Sequence, residues 1–146
     1  MKWLRLLCRV GLGGLFVVSG FQKLILPAEN FAAVIEKFEI LSGPAAAFLS
    51  HTLPWAEFFA GVFLVVGLWT PLSLAALWLM NTVFIGVLGS ALARKLPLDQ
   101  CGCFGKNLSI PLPVMLGLDL FIWSAFLFLF LTRRVPTPSL DSRLEK

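Results

Sequence analysis

The sequence predicts an all-α integral membrane protein, a four-helix bundle with a short amphipathic surface helix in its first outward loop. Hydrophobic residues make up 58% of the 146 residues and charged residues only 14%, whereas soluble domains carry about 25% charged residues. A soluble domain of this size cannot hide so much apolar surface behind so few charges. The basic residues behind the net charge of +4 flank apolar runs and form no stripe. The composition therefore excludes a disordered chain and a nucleic-acid partner.

Four segments are apolar enough to cross a bilayer, which takes about 20 residues for a helix. We predict that these spans cover residues 3–26, 52–69, 72–93 and 111–131. They form one transmembrane domain over residues 1–146, with a flexible tail over about 135–146. The first segment has a basic start but no small-x-small site before Lys23. It is therefore predicted to be a retained helix and not a cleaved secretory signal.

The segment between the first two spans predicts a helix of its own. Apolar residues recur there at helical spacing, with charged residues on the other face: Phe31, Val34, Ile35, Phe38 and Leu41. This pattern is typical of an amphipathic helix that lies on the membrane surface or caps the bundle, here over residues 30–41. Residues 94–110 lack such a period and contain prolines and glycines, so they predict a structured loop.

Four spans place both termini on the same side of the membrane. More basic residues flank the spans on the side of the termini than on the other side. The positive-inside rule therefore predicts a multi-pass protein of the inner (cytoplasmic) membrane with cytoplasmic termini. The loop over residues 94–110 then faces outward.

That outward loop contains Cys101-Gly102-Cys103. A disulfide between two cysteines so close in sequence is strained, and Gly102 supplies the backbone freedom it needs. Strained, exposed disulfides tend to be oxidising and labile. Nearby basic residues, Arg94 among them, favour the reactive thiolate. We predict that Cys101 and Cys103 are a catalytic pair that cycles between dithiol and disulfide.

Two other interpretations of the cysteine pair remain open. The pair forms a permanent structural disulfide if its only role is to stabilise the loop outside the cytoplasm. Alternatively, it supplies two ligands of a metal site with His51, the only histidine, as a third. No fourth ligand is evident in the sequence, so no metal is assigned. His51 is otherwise a candidate base beside the thiols.

Polar residues inside the spans require a structural or functional explanation, because insertion of an ionised side chain at a helix centre costs about 2.5–3.5 kcal/mol. Lys23 and Glu57 lie at matched depth, which predicts an ion pair that pins two helices or handles protons. The alternative is that Lys23 snorkels outward while Glu57 binds backbone groups or water. Asn81 and Asp119 lie deeper and are predicted to hydrogen-bond across spans, or to line a pocket for a redox ligand such as a quinone.

These residues resemble the DoxX-like membrane proteins, and the MauE branch in particular. Ser19-Gly20-Phe21-Gln22-Lys23 resembles their first helix, and Leu53-Pro54-Trp55-Ala56-Glu57 resembles their second. Cys101-Gly102-Cys103-Phe104-Gly105 resembles the MauE loop, and the resemblance extends over residues 10–131. It implies a four-helix membrane bundle. It also implies participation in thiol-disulfide or electron-transfer processes in the cell envelope, often together with a thioredoxin-like partner. MauE itself is associated with maturation of methylamine dehydrogenase, a substrate that the resemblance does not carry over.

The residues and the resemblance together predict a membrane thiol-disulfide oxidoreductase or electron relay. Its partners are expected to be the lipid bilayer and a thioredoxin-like envelope protein or a disulfide-containing client. The sequence identifies no cofactor, and a quinone is one candidate. The alternative function is a non-catalytic membrane assembly or chaperone subunit in which Cys101 and Cys103 form a structural disulfide.

Overall fold

The computed structural model describes residues 2–95 and 111–132, with side chains from Trp3 onward. Within these ranges the chain is helical and contains no strand. The helices are α1 (Lys2–Ile25), α2 (Ala28–Lys37), α3 (Pro44–Val66), α4 (Thr70–Ala93) and α5 (Leu112–Leu131). Helices α1, α3, α4 and α5 are long and apolar enough to cross a membrane. The predicted all-α, multi-pass membrane bundle is therefore confirmed.

Two helix boundaries differ most from the predicted segments. Helix α3 begins at Pro44, well before the predicted start of the second span at residue 52. Gly43 precedes it at φ 65, and proline suits the first turn of a helix, where no backbone donor is needed. Helix α2 ends at Lys37 instead of continuing to residue 41, and Glu39 follows at φ 55.

Helices α1 and α3 pack in antiparallel orientation at very short range. A Cβ atom on Gly20 would lie 2.8 Å from the backbone nitrogen of Phe58 and 2.9 Å from the carbonyl oxygen of Pro54. A Cβ atom on Gly13 would lie 2.9 Å from the carbonyl oxygen of Gly61. Only glycine permits such an approach of two backbones, a common device for helix packing in lipid. The α1–α3 contact is the most extensive between any two of the described helices.

The second half of the bundle is a helical pair, α4 and α5, joined to α3 by a tight turn. Gly67 and Trp69 adopt left-handed conformations in this turn, at φ 80 and φ 47. Apolar side chains from α1, α3, α4 and α5 fill the shared core: Leu12, Phe16, Leu64, Leu74, Leu77, Ile122, Phe126 and Leu129. Many large apolar side chains point away from it, such as Phe121 and Leu131. This outer apolar surface is what a lipid-embedded bundle presents to the bilayer.

Helix α2 covers the end of the bundle where α1 ends and α3 begins. Phe31 in α2 and Phe38 directly after it are buried. Phe38 packs with apolar residues near the end of α4 and the start of α5, including Leu88 and Leu112. The end of α4 and the start of α5 therefore lie at this same end of the bundle.

Candidate functional site

Lys23 of α1 and Glu57 of α3 form a buried ion pair. The Nζ atom of Lys23 donates hydrogen bonds of 2.8 Å to both carboxylate oxygens of Glu57. The two side chains are 5% and 0% exposed. Ser19, one helical turn before Lys23, donates a third hydrogen bond of 3.4 Å to Oε2 of Glu57. The predicted pairing is thus present, and the alternative in which Lys23 snorkels outward is wrong.

Two aromatic rings enclose the ammonium group of Lys23 from the other side. Its Nζ atom lies 5.0 Å from the ring centroid of Phe31 in α2 and 5.3 Å from that of Phe84 in α4. A desolvated cation over an aromatic face is stabilised by about 2 kcal/mol. The charge of Lys23 is therefore held by a carboxylate and two rings from three different helices.

Asn81 of α4 and Asp119 of α5 form a second buried polar pair. Nδ2 of Asn81 donates a hydrogen bond of 3.4 Å to Oδ1 of Asp119. Asn81 is 0% exposed and Asp119 is 8% exposed. The other amide atom, Oδ1 of Asn81, is buried and has no hydrogen-bond partner among the described residues. The predicted hydrogen bond across these two spans is therefore present, and Oδ1 of Asn81 remains as an acceptor that no described residue uses.

A small cavity of about 30 Å³ joins the two polar pairs into one cluster. Its polar lining comes from all four spanning helices: Ser19, Lys23, Glu57, Asn81 and Asp119. A polar cavity needs about 10–15 Å³ by this measure to hold one water molecule. The cavity therefore has room for water molecules, but it is too small for the ring of a quinone.

A larger chamber of about 260 Å³ lies between α2, α3 and α4. Its walls are made of apolar side chains such as Leu49, Leu53 and Leu88. Phe31 and Phe84 line this chamber and also contact Lys23. The chamber and the polar cluster are thus separated by two aromatic side chains.

His51 and Arg94 lie outside the polar cluster. His51 is exposed, and its Nδ1 atom bonds the carbonyl oxygen of Ala47 in its own helix at 2.9 Å. Arg94 donates a 2.7 Å hydrogen bond to the carbonyl oxygen of Phe38 and approaches Glu39 at 4.0 Å. The described contacts of Arg94 therefore anchor the end of α2, whereas the sequence predicted a role in thiolate stabilisation.

The predicted catalytic residues Cys101 and Cys103 lie outside the described residues. Cys8, within them, is a half-buried free thiol. No three His, Cys, Asp or Glu side chains in residues 2–95 and 111–132 are grouped to hold a metal ion. Within the described part of the chain, the candidate functional residues are therefore the membrane-embedded cluster of Lys23, Glu57, Asn81 and Asp119.

Sequence reasoning missed three partners of this cluster. Ser19 had a readable signal, since it lies four residues before Lys23 and so on the same face of α1. Phe31 and Phe84 had none, because Phe31 was assigned to the apolar face of a surface helix and Phe84 lies within an apolar span. Only the packing of α2 and α4 beside α1 places their rings against the Lys23 ammonium.

A family model described as methylamine utilisation protein MauE matches residues 1–134. The matched range includes all four spanning helices, the buried cluster and the cysteine pair. No curated protein and no solved structure matches the chain.

Proposed function

The chain belongs to the MauE family, as its resemblance predicted, and from this we propose that it is a membrane thiol-disulfide oxidoreductase or electron relay. Cys101 and Cys103 form its redox pair, and methylamine utilisation is the process in which it takes part. It resides in the inner membrane with cytoplasmic termini and an outward cysteine loop. Its exchange partner is a thioredoxin-like envelope protein or a disulfide-containing client.

The observation that supports the proposal is the buried ionisable cluster in a bundle whose helices α4 and α5 flank the cysteine loop in the sequence. The loop follows α4, which ends at Ala93, and precedes α5, which begins at Leu112. Lys23 lies two residues before the end of α1 at this same end of the bundle. Ionisable residues buried in membrane spans are typical of proton relays and ligand paths. Oxidation of a dithiol releases protons, so buried ionisable groups in the same bundle suit this chemistry.

The exchange step needs only thiols. A partner thiolate attacks one sulfur of the Cys101–Cys103 disulfide, which breaks that bond and forms a mixed disulfide. The second partner thiol resolves it, so the partner leaves as a disulfide and this chain keeps a dithiol. Two electrons and two protons have then been transferred. Reoxidation requires an acceptor of two electrons, for which a quinone is the chemical class we propose.

The apolar chamber between α2, α3 and α4 supports the quinone proposal. Binding sites for small ligands are concave and mostly apolar, with volumes of about 300–1,000 Å³. The chamber of about 260 Å³ is near the lower limit and suits a ring with part of an isoprenoid tail. A quinone bound there would lie beside the polar cluster, because Phe31 and Phe84 in the wall also contact Lys23.

The decisive measurement is the reduction potential of the Cys101–Cys103 pair in purified full-length protein, by thiol alkylation across glutathione buffers. A value of about −120 to −270 mV supports the relay, because catalytic pairs have such potentials. A value below about −300 mV marks a structural disulfide and overturns it. Cys8→Ser is the matched control, since Cys8 lies in α1, and this variant should leave the potential unchanged.

One observation favours the alternative assembly subunit. Helix α2 is firmly attached to the bundle through Arg94, and its charged face stays exposed, with Glu29 and Glu36 in it. An attached helix with such a face suits a docking surface for another protein. The two functions differ in a measurable way. The relay loses activity in Cys101→Ser, while an assembly subunit keeps it as long as the bundle is stable.

A further inference from the structure

The buried cluster contains two carboxylates but one ammonium group. Lys23 lies 2.8 Å from both oxygens of Glu57, so this pair is neutral by itself. Asp119 has the neutral amide of Asn81 as its hydrogen-bond donor, at 3.4 Å. An ionised Asp119 therefore adds one net negative charge to the cluster. Such a charge costs about 2.5–3.5 kcal/mol at a helix centre in a membrane, and a proton on Asp119 removes it.

The amide of Asn81 suits both protonation states of Asp119. An amide offers a donor and an acceptor. The carboxylate of Asp119 accepts from Nδ2, while a carboxylic acid needs an acceptor in its surroundings. Oδ1 of Asn81 is a buried acceptor with no partner among the described residues. The cavity of about 30 Å³ beside it adds room for water, with Ser19 as a further polar group in its wall.

We propose that Asp119, Asn81 and the cavity beside them form a proton-binding site in the membrane interior. A proton moves from a hydronium ion in the cavity to a carboxylate oxygen of Asp119, which leaves a water molecule and a carboxylic acid. The Lys23–Glu57 ion pair supplies a fixed, neutral wall. This inference does not depend on the redox role of the cysteines.

The other groups in the cavity wall favour a proton over a metal cation. The titratable groups that line it with Asp119 are Lys23 from α1 and Glu57 from α3, whereas α4 supplies Asn81. Lys23 occupies both oxygens of Glu57, so few oxygen atoms remain free. Calcium takes about 6–8 oxygen ligands and magnesium needs near-ideal octahedral geometry. A single proton needs one carboxylate oxygen and one acceptor, both of which are present.

Infrared difference spectroscopy of the full chain in liposomes tests this site directly. Acidification of the wild type should produce the C=O stretches of its protonated carboxyl groups, shifted when water is replaced by D₂O, and one of these bands should belong to Asp119. Asp119→Asn should lack this band. Glu29→Gln is the matched control, because Glu29 is an exposed carboxylate on α2, and the variant should keep the band.

A second variant keeps the test decisive if Asp119→Asn fails to fold. Asn81→Ala removes the hydrogen-bond partner of Asp119, so the band should change frequency. The proposal is overturned if the wild type shows no band that Asp119→Asn lacks, or if Asn81→Ala leaves its frequency unchanged. Loss of the band on addition of sodium chloride at constant pH would assign the site to Na⁺ instead.

Discussion

Nη2 of Arg94 donates a hydrogen bond of 2.7 Å to the carbonyl oxygen of Phe38, a residue 56 positions earlier in the chain. The last carbonyl groups of a helix lack partners within it, and a charged donor is a strong partner for them. Arg94 also follows α4 directly. The contact therefore joins the end of α2 to the end of α4, after which the cysteine loop follows in the sequence.

Loss of this contact should loosen α2. A hydrogen bond to a charged group contributes about 1.5–3 kcal/mol, so amide exchange in α2 should accelerate about tenfold to a hundredfold in Arg94→Gln. Hydrogen exchange read by mass spectrometry measures this effect. Lys37→Gln removes an equal charge from an exposed position on α2 and is the control. Equal exchange rates in both variants would contradict the anchoring role.

The Lys23–Glu57 ion pair should show strong energetic coupling. Lys23→Met leaves the carboxylate of Glu57 buried without its counterion, which costs about 3–5 kcal/mol in buried pairs. The double variant Lys23→Met with Glu57→Gln should recover much of this loss, because no uncompensated charge remains. Free energies of unfolding in detergent for the four proteins of the cycle give the coupling. Additive losses would show that the pair contributes nothing as a pair.

The close approach of α1 and α3 predicts opposite effects for two glycines of the same helix. Gly20→Ala would place a Cβ atom within 3.0 Å of two backbone atoms of α3, and overpacking of this kind costs about 1–3 kcal/mol. Gly14→Ala meets nothing within 4 Å and should be neutral or slightly stabilising, since alanine favours helices. Melting temperatures compare the two variants. A similar decrease in both would refute the close approach.

The proposed role of the apolar chamber in reoxidation can be tested by a bulky substitution that fills it. Leu53→Trp adds volume to its wall, so reoxidation of the Cys101–Cys103 dithiol by an added quinone should slow by about tenfold or more, equivalent to about 1.4 kcal/mol. The reduction potential of the pair should not change. Leu72→Trp alters an exposed position at the start of α4 and should have no effect. Equal reoxidation rates in the two variants would remove the chamber from the electron path.

The spanning helices were predictable because hydropathy and length are local properties of the sequence. The Lys23–Glu57 pair was predictable as well, since depth along a span follows from position in the chain. The start of α3 at Pro44 was not. Residues 44–51 mix Phe48 and Leu49 with Pro44, Ser50 and His51, so hydropathy alone does not mark the residue at which the helix begins.

What could not be predicted is the rotation of each helix about its axis. Phe84 lies among apolar residues of α4, and the sequence does not indicate that its ring faces Lys23. The sequence also does not indicate that Oδ1 of Asn81 lacks a partner among the described residues, because this depends on which side chains the four helices place around one cavity. The polar residues of the cluster were predictable one by one, but their shared cavity depends on tertiary geometry.

The pairing of α1 with α3 also has a consequence for how the chain enters the membrane. Glu57 follows Lys23 by 34 residues, so Lys23 emerges from the ribosome before its counterion does. Until α3 arrives, the ammonium of Lys23 can only be accommodated at the bilayer surface or within the insertion machinery. We therefore expect α1 to be released into the lipid together with α3, with the first three helices inserted as one unit.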